Sequence, residues 1–140
     1  MTPEAYISYK LLSSPEVASV IGDRAYNVFV PKADMEMPFV VFRRGQSNND
    51  STLSAPGPLG MPMTTFFVSA WAETLGEARV LGDAVREALD GQIGSAAGVT
   101  VVSLSLTSEV DDYIDPAPAG AQLPLAYEVR QVFQVRWQRQ

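Results

Sequence analysis

The chain contains neither cysteine nor histidine. Without cysteine there is no disulfide, no thiolate metal site and no cysteine nucleophile. Without histidine the commonest general base and the commonest zinc ligand are missing. Ser-His-Asp and Cys-His catalytic arrangements are therefore excluded outright. Long apolar runs are also lacking. None approaches the ~20 residues that span a bilayer, so no membrane partner is expected. The start, Met1-Thr2-Pro3-Glu4-Ala5-Tyr6, has no basic stretch or apolar centre of a signal peptide, which points to synthesis in a cytosol. Positive charge is scarce: 10 Lys and Arg stand against 16 Asp and Glu, a net charge of −6. Such a chain is poorly suited to gripping phosphates, for which lysine and arginine supply the affinity. It could still sit near DNA without sticking to it.

What is present is a globular composition. Hydrophobic residues make up 46% of the 140 positions and charged residues 19%. That length suits one domain, residues 1–140, with a real core. The clearest stretch runs from Thr64 to Gly91. Phe66, Phe67, Val68 and Trp71 are bulky strand formers. Alternation sends Phe66, Val68, Ala70 and Ala72 one way, and Phe67 and Trp71 the other. Both faces are thus partly apolar, which implies a central strand or one whose second face meets a partner. Thr74 then serves as a helix N-cap, with Glu77 three residues on in the capping-box position. At ~100° per residue, Leu75, Ala78, Leu81, Val85, Ala88 and Leu89 share one arc, and Val80 falls outside it. Gly91 is placed to end the helix in a left-handed conformation.

Before this unit, Pro3 to Leu12 reads as a short helix. Ser14-Pro15-Glu16 reads as the start of a second, which Gly22 ends. Tyr26 to Val30 is a short strand, and Pro38 introduces the strand Phe39 to Arg44. After it, Gln92 to Gly98 reads as a loop. In the strand Val99 to Val110, Val102, Leu104, Leu106 and Val110 share one face by strict alternation. In the last strand, Leu125 to Trp137, Glu128, Arg130, Gln134 and Arg136 face out, and Gln131 interrupts the apolar face. Gly45 to Pro62 and Asp111 to Pro124 read as long loops, above the ~12–15 residues common in compact domains. The expected architecture is α+β: a mostly antiparallel sheet of about four to five strands, one long helix across one face, short N-terminal helices and two long loops.

No catalytic, cofactor-binding or metal site emerges. Asp111, Asp112 and Asp115 concentrate hard ligands, but calcium needs about six to eight oxygens in a defined loop, and the EF-hand spacing is missing. A solvated turn after a strand is the better reading. Arg43 and Arg44 are neighbours on a strand, point to opposite faces and form no single basic patch. Gly57, Gly60 and Gly82 fit neither phosphate-binding glycine pattern. What remains is surface. Leu53, Leu59, Met61 and Met63, with Phe67, Trp71, Tyr113 and Ile114, form the candidate assembly interface. The competing reading folds the long loops back over their own core.

Three groups of residues also carry a family resemblance. They are Leu11-Leu12 with Val17, Val20-Ile21-Gly22-Asp23-Arg24 and Tyr26, then Pro38-Phe39-Val40-Val41-Phe42. The third is Val68-Ser69-Ala70-Trp71-Ala72 followed by Glu77-Ala78 and Ala84-Val85-Arg86-Glu87-Ala88-Leu89. In this order and spacing they resemble the tail-completion, or tail-to-head joining, proteins of long-tailed bacteriophages and prophages. The resemblance implies a structural virion protein at the head–tail junction, made in the bacterial host cytoplasm. It implies a homo-oligomeric ring, a hexamer, between head connector and tail-tube proteins, with DNA passing through without specific binding. The long loops are expected to order on assembly. Two other classes stay open: a small soluble ligand-binding or regulatory domain, and an enzyme working with carboxylates alone.

Overall fold

The computed structural model describes residues 2–28, 37–48, 63–114 and 126–139. Serine and threonine caps set the helices. The Ser14 hydroxyl accepts from the Val17 N–H at 3.4 Å and starts α2 (Pro15–Ile21), directly after α1 (Pro3–Ser13). The Thr74 hydroxyl accepts from the Glu77 N–H at 3.2 Å and starts α3 (Leu75–Leu89). Gly22 and Gly91, at φ of 63° and 77°, turn the chain out of α2 and α3 through the left-handed region.

The strands are β1 (Ala25–Asn27), β2 (Phe39–Asn48), β3 (Met63–Ala72), β4 (Gly94–Ala96), β5 (Val99–Ile114) and β6 (Ala126–Arg139). They form one sheet in the order β1-β2-β3-β6-β5-β4. The class is α+β, as expected, but the sheet has six strands rather than four to five. It is also mixed, because β1 runs parallel to β2 while the other pairings are antiparallel. Three stretches expected to be loop are strand in part: β2 runs on to Asn48, β4 lies within 92–98, and β5 continues through Asp111 and Asp112 to Ile114.

The helices cover one face only. Their buried residues, among them Tyr6, Ile7, Leu11, Val17, Ile21, Leu81, Val85 and Leu89, meet Val40, Phe42, Phe66, Val68, Phe133 and Val135 from the sheet. Burying each such side chain contributes roughly 1.5–3 kcal/mol. Leu12 and Val80 stay outside this core, 38% and 64% exposed.

Polar atoms inside the core have partners. Gln131, which interrupts the apolar face of β6, donates from its amide nitrogen to the Gly82 carbonyl at 2.8 Å and the Glu109 carboxylate at 2.7 Å. Gly82 lets α3 lie this close, since a Cβ there would stand 2.9 Å from Val129 Cγ1. The Trp137 indole N–H donates to the Thr64 hydroxyl at 2.9 Å, and Thr64 meets the Ser47 hydroxyl at 2.8 Å. The exception is the Tyr6 hydroxyl, which is buried without a hydrogen-bond partner among the described residues.

Two bulges in β5 correct the strict alternation expected there. Val101 pairs with Trp137 and Ser103 with Arg136, so Val102 is an extra residue; Thr107 is another, between Leu106 and Ser108. The first leaves Val102 41% exposed. The second reverses the parity beyond it. Val110 pairs with Arg130 on the face away from the helices and is 56% exposed, whereas Asp111 turns toward α3. The edge of β5 is closed in part by α3's end: Gly91 N–H donates to the Leu104 carbonyl at 2.7 Å, and Leu106 N–H to Asp90 at 3.0 Å. Charges at Glu109, Asp111 and Asp112 continue along that edge, a common guard against stray strand pairing.

Candidate assembly surface

β2, β3 and β6 present the sheet face opposite the helices. Period-two geometry places Phe39, Val41 and Arg43 of β2 beside Trp71, Ser69 and Phe67 of β3. Those in turn lie beside Glu128, Arg130 and Val132 of β6. The buried half of β3 alternates residue by residue with Met63, Thr65, Phe67, Ser69 and Trp71, which are half-buried. The division of β3 into two faces is therefore as expected.

Aromatic contacts give this face order. Phe39 and Trp71 stack with centroids 6.4 Å apart, and Tyr26 meets Phe39 edge-on at 6.2 Å. The Arg43 guanidinium lies 4.6 Å from the centre of the Phe67 ring. Its neighbour Arg44 points the other way and grips Glu4 of α1 with two hydrogen bonds, 2.6 and 2.9 Å. The pair thus splits between faces. Glu128 departs from its expected exposure: it belongs to this face but is only 4% exposed, held by Arg130 at 3.0 and 3.3 Å. Arg130 also lies 3.8 Å from Asp112. Arg130 is itself half-exposed, so the cluster orients side chains more than it stabilises the fold.

Of the sequence candidates, the structure brings together Phe67 and Trp71, with Met63 further along the same face of β3. Tyr113 and Ile114 occupy the end of β5, paired with Tyr127 and Ala126 rather than in a loop. Leu53, Leu59 and Met61 lie outside the described residues. The candidate set omitted Phe39, Tyr26, Arg43 and Arg130. Alternation in the Pro38 strand carried the signal for Phe39 and Arg43; the Tyr26 and Arg130 contacts depend on strand order and left none. Arg24, in the Gly22-Asp23-Arg24 step, ties α2 to β2 by donating to the Val20 and Pro38 carbonyls at 3.3 and 3.0 Å.

The chemistry of this surface is that of association. Aromatic rings and an exposed arginine in a half-apolar field resemble the centre of a protein–protein interface. Asp111 and Asp112 do not converge: Asp111 pairs with Arg79 at 2.7 Å on one side of β5, and Asp112 lies on the other, while Asp115 lies outside the described residues. Among the described residues no group of three or more acidic side chains could hold a metal ion.

A two-layer α+β scaffold, with helices on one sheet face and, among the described residues, no helix on the other, is what the fold defines. The chain belongs to the tail completion protein gp17 family, whose model matches residues 5–131. It is thus a phage tail structural protein. The fold is similar to that of a chain from the structure titled "Virion of native gene transfer agent (GTA) particle", with a TM-score of 0.71 at 17% identity. That likeness covers 94% of this chain and 91% of the other. A comparison with curated proteins found no match.

Proposed function

We propose that this protein completes the phage tail and joins it to the head connector, as one subunit of a homo-oligomeric ring around the DNA channel. The observation that carries the reading is the half-apolar sheet face around Phe39, Phe67 and Trp71, on the side the helices leave uncovered. Phe39 is buried beneath this face, whereas Phe67 and Trp71 stay partly exposed, and a domain of this size gains little from keeping two such rings partly in water unless a second surface covers them. The family membership and the likeness to a virion chain support a place in the virion tail, in contact with other structural proteins. The net charge of −6 suits a channel wall that lets DNA pass. A copy number of six is the family expectation. The role needs assembly contacts and no chemistry, consistent with a chain that has no histidine or cysteine.

The test is co-sedimentation of the purified chain with tail tubes and with connectors, followed by electron microscopy of the product. Bound rings at the tube end are expected. Trp71→Ser should reduce binding at least tenfold while the circular dichroism of the fold is kept. Absence of binding to both tubes and connectors would reject the role.

A further inference from the structure

The helix side carries a feature that the core does not use. A groove of about 510 Å3 runs between α2 and α3, floored by Val20, Val80, Ala84 and Ala88. A second, about 520 Å3, continues it past Pro38 and Gly76 and shares Val20 and Val80. Val80, in the middle of α3, is exposed where the two meet. The rim is acidic: Glu16, Glu77, Asp83 and Glu87 line the two halves. Among the described residues none of these four carboxylates has a salt-bridge partner. An apolar floor inside an unpaired acidic rim fits a surface that is apolar at its centre and brings positive charge.

The other layer of the same chain offers such a surface. Arg43 is exposed, has its guanidinium over the Phe67 ring, and has no carboxylate partner among the described residues. Val41 and Ser69 form the next pair along this face, and Trp71 lies one pair further, opposite Phe39. We infer that the α2–α3 groove receives the sheet face opposite the helices of a second copy of this chain, with Arg43 entering the acidic rim above Val80. The pairing rests on the ring reading above. Each subunit of a ring must use two different patches, and these two lie on opposite layers of the fold. A symmetric groove-to-groove contact would instead oppose acid with acid, which is strongly unfavourable.

A chain without cysteine allows a clean cross-linking test. Val80→Cys copies are mixed with Ser69→Cys copies, on tail tubes, under mild oxidation. Both positions are at least partly exposed, so both variants should keep the wild-type circular dichroism. The mixed disulfide should form at least tenfold faster than either like-with-like product. Arg43→Glu should weaken assembly at least tenfold, and Glu77→Arg with Glu87→Arg should restore it. Like-with-like products at equal or higher rates overturn the pairing. Electron microscopy of the unmodified chain reads the ring separately. Closed rings without the mixed disulfide overturn the pairing and leave the ring standing. The mixed disulfide in open chains overturns the ring and upholds the pairing. If Val80→Glu rings still form but no longer bind tubes, the groove belongs to a tail protein instead and the pairing fails.

Discussion

Replacing Gly82 with alanine should destabilise the fold, although the same change in most helices helps. Gly82 lies inside α3, where alanine is normally favoured by about 1 kcal/mol. Here the new Cβ would sit 2.9 Å from Val129 Cγ1 and 3.2 Å from Val129 Cβ. Val129 is 2% exposed and β-branched, so its rotamer has little room to yield. Overpacking of this kind costs about 1–3 kcal/mol. Lifting the helix also stretches the 2.8 Å bond from Gln131 to the Gly82 carbonyl, a loss of about 0.5–1.5 kcal/mol. The net is a destabilisation of about 2 kcal/mol, near 7 °C in Tm for a chain of this length. Gly76→Ala is the control, because nothing lies within 4 Å of its Cβ; it should be neutral or stabilising by a few tenths of a kcal/mol. Urea unfolding followed by tryptophan fluorescence measures both. Gly82→Ala combined with Val129→Ala should cost at least about 1 kcal/mol less than the sum of the single changes. A Gly82→Ala protein as stable as wild type, or additive behaviour in the pair, would refute the close approach of α3 to β6.

Three other substitutions probe single polar groups. Thr64→Val keeps the shape but strands the buried Trp137 indole N–H, and should lower stability by about 1–3 kcal/mol in thermal unfolding. The Tyr6 hydroxyl is buried with no hydrogen-bond partner among the described residues, so Tyr6→Phe should raise stability by about 1 kcal/mol; a lower Tm would show that the hydroxyl has a partner in solution. Burial pushes the Glu4 carboxyl up, but hydrogen bonds from Arg44, the backbone and Thr2 outweigh it and hold it below its ordinary value. A folded-state value below the unfolded one gives stability that is present above the unfolded pKa. It is lost as pH falls through the folded pKa. Glu4→Gln should therefore flatten the acid limb of a plot of urea midpoint against pH, and an unchanged slope would sink this assignment.

The candidate surface was half legible. Phe67 and Trp71 can be read from alternation along one strand, because adjacent side chains must leave a pleated backbone on opposite sides. Arg130 could not be placed beside Asp112, because that contact needs the reversed parity of β5. The α2–α3 groove had one trace, Val80 off the apolar arc of its helix. Its acidic rim joins Glu16 to Asp83 and Glu87, far apart in the chain.

Local physics accounts for what the sequence determined by itself. The caps at Ser14 and Thr74, the left-handed turns at Gly22 and Gly91, and the two faces of β3 involve neighbours within a few residues. Such interactions leave a period or a residue type in the sequence. The tertiary structure alone decided the rest. It set β6 between β3 and β5, laid β1 parallel to β2, and inserted the extra residues Val102 and Thr107 that turn Val110 outward and Asp111 toward Arg79. It also turned Gln131 from a break in the apolar pattern into the bond that holds α3 against the sheet. Each depends on backbone pairing or packing between segments distant in the chain, which no local pattern records.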